Sequence, residues 1–102
     1  EAASRIEVAP AVMAYLVDVC RATRTSPAVR LGVSPRGATS LLRTARVWAF
    51  LQGRGFVTPD DVKTMAPSTL AHRLGLRAEA NLEGITAVNV ISGVLAATPV
   101  PR

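Results

Sequence analysis

The hydroxyl–proline steps at Ser34-Pro35 and Thr58-Pro59 constrain this chain more tightly than any other feature. A serine or threonine side chain accepts a hydrogen bond from an orphan N–H of a first helical turn. Proline suits the next position, where no backbone donor is needed and its φ is already helical. Each step therefore predicts a helix start, and Gly53 and Gly55 end the helix that opens at Pro35. The two starts then diverge. Thr58-Pro59 continues with Asp60 and Asp61, the acidic residues favoured by the partial positive charge of a helix N-terminus. Ser34-Pro35 continues with Arg36 and Gly37, a cation where the backbone is already positive and then a poor helix former.

Periodicity supplies the remaining elements. Val12, Leu16, Val19 and Cys20 predict a first helix over about residues 9–24, stopped by Pro27 and Gly32. In the second, Ala38, Leu41, Leu42, Ala45, Trp48 and Ala49 share one side, while Val47, Phe50 and Leu51 occupy the other. That distribution predicts a central helix packed by neighbours on two faces. Pro67 is expected to end the third helix, with "PSTLAHRLGL" a separate short helix and "RAEANLEG" a polar connection. A last helix spans residues 87–97 with Thr86 as its cap, although "AVNVIS" also alternates like a strand. The expected fold is all-α, a small bundle of four to five helices forming one domain over residues 1–102. A chain of 102 residues buries roughly 60–70% of its unfolded surface. With 49% apolar and 19% charged residues, disorder is excluded. Glu1 in place of an initiator methionine leads us to expect a piece of a longer protein.

The formal charge is +5, carried by eleven arginines and Lys63. Such a surplus suits a polyanion, or simply an arginine-rich solvated surface. Cys20 is the single cysteine and sits in an apolar run, so it reads as core filler, with no internal disulfide. The apolar runs are too short and interrupted to span a bilayer or to serve as a signal peptide, which points to a soluble cytoplasmic protein. There is no G-x-x-x-x-G-K-[ST] phosphate loop, so the chain alone is not expected to hold or hydrolyse a nucleotide. His72 is the only histidine, and "LAHRLGL" reads as a packing seam; neither a metal site nor a Ser-His-Asp arrangement is visible.

Arg36 has two readings. Its stem covers apolar surface while the charge stays in water. Alternatively, its guanidinium and the backbone N–H groups of the turn converge on a phosphate or carboxylate, with Gly37 letting the anion approach. The anion would then be held mainly by another domain or subunit. A rival reading takes Arg36, Arg43 and Arg54, with Arg46 beside them, as a stripe of a basic helical nucleic-acid-binding module. Val47, Phe50 and Leu51 interrupt that stripe, and no Asn or Gln along it is placed to read bases.

"VRLGVSPRGATSLLRTARVWAFLQGRGFVTPDDVKTMAPSTLAHRL" resembles the C-terminal lid domain of the MoxR family of AAA+ ATPases. "LGVSPRG", "RGFVTPDDVK" and "AHRL" carry the match in order and spacing, with "VDVCRATR" before them and "PVPR" at the end. Val33 stands where relatives often have alanine, and Asn89 where an acidic residue would complete the cap begun by Thr86. The resemblance implies that Ser34, Pro35, Arg36 and Gly37 form the sensor 2 motif. Arg36 would contact the γ-phosphate of ATP, bound with Mg2+ by a core domain outside this chain. It further implies a hexameric ring, chaperone-like remodelling and partners with von Willebrand factor A domains. Whether Arg36 addresses its own or a neighbouring subunit's nucleotide stays open.

Overall fold

Local capping sets three of the helix starts in the computed structural model, which describes residues 5–101. At α2 (Pro35–Leu51) the Gly37 N–H donates to Ser34 Oγ over 3.3 Å. At α3 (Pro59–Leu70) Thr58 and Asp61 cap each other, Asp61 N–H donating to Thr58 Oγ1 and Thr58 N–H to Asp61 Oδ2. At α5 (Ala87–Ala97) Asn89 completes the same box with Thr86, its amide oxygen accepting where a carboxylate was expected. The other helices are α1 (Pro10–Thr25) and the short α4 (Ala78–Leu82). Among the described residues the chain is mostly helical, as expected.

One apolar core joins these elements. Leu16 and Val19 of α1, Leu41 and Ala45 of α2, Val62, Ala66 and Leu70 of α3, and Ile91 of α5 are all buried. Alanines at 45, 49 and 66 let α2 and α3 approach closely, and these two form the most extensive helix pair.

The structure departs from expectation in four places. First, α3 runs through Pro67 to Leu70 and then tightens into a 3-10 turn, Ala71–Arg73. Proline removes one backbone bond, but Val62, Ala66 and Leu70 on the buried stripe keep the last turn in register. Second, β1 (Val29–Leu31) and β2 (Gly75–Leu76) pair antiparallel, where loop and helix were expected. Third, part of "RAEANLEG" coils into α4, which buries its own Ala80. Fourth, α2 is not packed on two faces: Val47, Phe50 and Leu51 are exposed by 38%, 47% and 67%. The core packs against its Leu41–Ala45–Ala49 stripe, flanked by the half-buried Ala38 and Leu42, and Thr69 of α3 donates to Thr44 Oγ1.

Cys20 is buried, and burial pushes its thiol up from 9.0 to about 11. Burial likewise raises the Tyr15 phenol, helped by the charge of Asp60. Both groups then ionise more readily in the unfolded chain than in the folded one. Stability is therefore whole below pH 9 and falls as pH rises from 9 to about 11. Denaturation midpoints measured across that interval should drop, and Cys20→Ala should flatten part of the slope. Among the described residues no helix is long and apolar enough to cross a membrane.

Candidate functional site

The start of α2 is held from behind by α1. Thr23 Oγ1 accepts from the Val33 N–H at 3.0 Å and itself donates to the Cys20 carbonyl. Arg24 donates from Nε and Nη2 to the Val33 carbonyl, at 3.2 and 3.0 Å. Consecutive side chains of α1 thus satisfy both backbone groups of one buried loop residue, immediately before the Ser34 cap. Gly32 makes this approach possible. A Cβ there would lie 2.6 Å from Arg24 Cγ, 2.9 Å from its Cα and 3.0 Å from its backbone N. Because backbone cannot yield as a flexible side chain does, Gly32→Ala should cost about 1–3 kcal/mol in chemical denaturation. An unchanged midpoint would show that the loop adjusts freely.

From this anchored loop the chain turns through Ser34 and Pro35, both exposed, and presents Arg36 to solvent. Among the described residues no carboxylate pairs with Arg36; the ion pair they contain joins Arg54 and Asp61. The amides of the turn contribute less than expected. Pro35 has no N–H, the Gly37 N–H is taken by Ser34 Oγ, and the Ala38 N–H closes onto the Ser34 carbonyl. Gly37 also has a different reason to be glycine. It is buried, and a Cβ there would lie 2.6 Å from Val33 Cγ1 and 3.2 Å from Arg73 Cδ. The missing side chain makes room for packing under the turn.

Arg73 is the neighbour that reasoning along the sequence missed. Its stem crosses the first turn of α2, and its Nε is buried without a partner. No spacing rule links residue 73 to residue 37; only the return of the chain through α3 brings them together.

The proposed basic stripe does not survive folding intact. Arg54 lies beyond the end of α2 and donates to Asp61 Oδ1, while the Nε of Arg46 is buried. Arg36 and Arg43 remain exposed. Asp60 and Asp61 also separate, Asp60 exposed and Asp61 only 2% exposed. His72 is exposed on the 3-10 turn and not on a packing seam. The described residues contain no group of three His, Cys, Asp or Glu able to hold a metal ion.

The geometry thus offers an exposed arginine on a braced helix start, in a helical domain whose sequence has no phosphate loop. The sequence pattern of the AAA lid domain family matches residues 21–94. This chain belongs to that family. The lid is 44% identical over 87 residues to the protein YeaC of Bacillus subtilis, covering 85% of this chain and 27% of YeaC. It is 34% identical over 101 residues to Chaperone MoxR1 of Mycobacterium tuberculosis, covering 90% of this chain and 27% of that protein. The fold superposes on the crystal structure of a candidate ATPase from Cytophaga hutchinsonii with a TM-score of 0.92 and 26% identity, over 99% of this chain and 33% of that one. The MoxR-named relatives place the lid in the MoxR family, and it spans about a quarter to a third of the length of the relatives it matches.

Proposed function

We propose that this lid contributes Arg36 as the sensor 2 arginine of a MoxR-type AAA+ ATPase, with Ser34, Pro35 and Gly37 shaping the turn that carries it. The supporting observation is an exposed guanidinium, free of any carboxylate among the described residues, on a helix start tied to α1 through both backbone groups of Val33. ATP and Mg2+ are held by the AAA core of the parent protein, because this chain has no phosphate loop. Hydrolysis there transfers a phosphoryl group whose oxygens gather charge in the transition state. Arg36 donates its planar N–H fork to the γ-phosphate and places a fixed positive charge beside that developing one. It acts mainly through the guanidinium, since the amides around it are largely used within the turn.

The bracing of Val33 gives the contact a mechanical consequence. A pull on Arg36 passes through Ser34 and Val33 into α1, so the lid moves as a body when the phosphate leaves. In the full-length protein this motion drives chaperone-like remodelling, as the name of the Mycobacterium tuberculosis relative suggests. The protein assembles as a cytoplasmic homo-oligomer, a hexameric ring, acting on proteins with von Willebrand factor A domains. ATP turnover by the full-length Arg36→Ala protein, with nucleotide affinity measured separately, tests the assignment. Unchanged turnover sinks it.

A further inference from the structure

Arg73 reaches the turn that carries Arg36 from a distant part of the chain. The ribbon of β1 and β2 brings the two segments to one end: Leu31 stands opposite Gly75, and Val33 and Arg73 each lie two residues beyond that pair. The approach is close. A Cβ on Gly37 would lie 3.2 Å from Arg73 Cδ, so with a bond of about 1.5 Å the Cδ sits within about 5 Å of the Gly37 Cα. Arg36 is the adjacent residue, its Cα about 3.8 Å from that of Gly37. The Arg73 side chain is half-buried: Nε is buried without a partner, and the terminal nitrogens beyond it are open to solvent. Among the described residues no carboxylate pairs with either arginine. A buried donor left without an acceptor is costly and calls for an explanation. Arg54 and Arg46 also bury an unpartnered Nε, but Arg54 has Asp61, and Arg46 lies about 15 Å along α2 from Arg36.

We infer that Arg73 is a second phosphate-binding arginine of the nucleotide site, closing with Arg36 on one triphosphate. This rests on the sensor reading of Arg36. Two guanidinium groups that start from one turn, with no carboxylate paired to either, repel each other until a multiply charged anion comes between them. Arginine forks suit phosphate oxygens, which accept two parallel N–H bonds. With Arg36 on the γ-phosphate, Arg73 takes oxygens of the neighbouring phosphates. Their charge is present before the reaction and persists through it, so Arg73 holds substrate and transition state alike. Uniform binding of that kind sets affinity, whereas Arg36 sets the rate.

The test uses the full-length protein with Arg73→Met, which keeps an unbranched stem over Gly37 and loses the charge and the fork. We expect its affinity for both ATP and ADP to fall about tenfold or more, the loss of a charged hydrogen bond. Its kcat at saturating ATP should stay within about threefold of the parent, and its thermal midpoint should not fall. Arg21→Met, exposed on α1, removes the same charge elsewhere and should leave both affinities within about twofold. Affinities of Arg73→Met within about twofold of the parent overturn the proposal, as does a fall in kcat at unchanged affinity. An equal loss from Arg21→Met also overturns it, assigning the effect to overall charge. Arg73→Gln is read in the same way should Arg73→Met fail to fold. Arg36→Ala is judged by turnover and Arg73→Met by affinity, so the sensor assignment and this proposal fail separately.

Discussion

Arg36→Ala in the full-length protein lowers ATP turnover by about 10²–10³-fold while nucleotide affinity changes far less. The magnitude follows from losing one charged donor aimed at charge that develops only in the transition state, typically about 3–4 kcal/mol. Ground-state binding is affected less because the core holds most of the nucleotide. Arg36→Lys should restore only part of the rate, since an ammonium keeps the charge but not the planar fork. Folding moves the opposite way. Arg36 adds a cation to the positive end of α2 and has no carboxylate partner among the described residues to offset it. Its removal should leave the domain's stability unchanged or raise it by roughly 0.3–1 kcal/mol. Lower turnover with undiminished stability separates a functional residue from a structural one. Loss of both together would mean that Arg36 supports the fold.

Asp61→Ala should be among the most destabilising single changes in the domain. Asp61 is 2% exposed and serves two elements at once. Oδ1 accepts from the Arg54 guanidinium, and Oδ2 accepts from the Thr58 N–H at 2.8 Å, starting α3. Breaking a fully buried pair costs about 3–5 kcal/mol, but Arg54 is 32% exposed and can turn toward water. We therefore expect a loss of about 2–3 kcal/mol, including the cap. For a domain of this size that lowers Tm by roughly 10–20 °C in a thermal melt. Asp61→Asn keeps an oxygen for the Thr58 N–H and should lose about half as much. A shift below about 0.5 kcal/mol for Asp61→Ala would show that the pair and the cap contribute little.

Most of the candidate site was legible in the sequence, because its defining contrast is local. A cap, a proline and the charge of the next residue lie within four positions, and Ser34, Pro35 and Arg36 hold those roles in the fold. What surrounds Arg36 was not legible. The bracing of Val33 by Thr23 and Arg24 depends on the loop returning against α1. The packing of Arg73 over Gly37 depends on the passage of the chain through α3. For Gly37 the missing Cβ was visible in one dimension, but the neighbours it makes room for, Val33 and Arg73, only in three.

The same division holds for the whole domain. Its helical class and the starts of α2, α3 and α5 were determined by the sequence itself, since capping bonds span three residues and compete with nothing distant. Tertiary structure alone decided that α3 continues through Pro67, that β1 meets β2, that Arg54 belongs to Asp61, and that the Val47–Phe50–Leu51 face stays uncovered. Each of those outcomes balances a local preference against burial by residues far away in the chain. The balance is struck only when the helices pack.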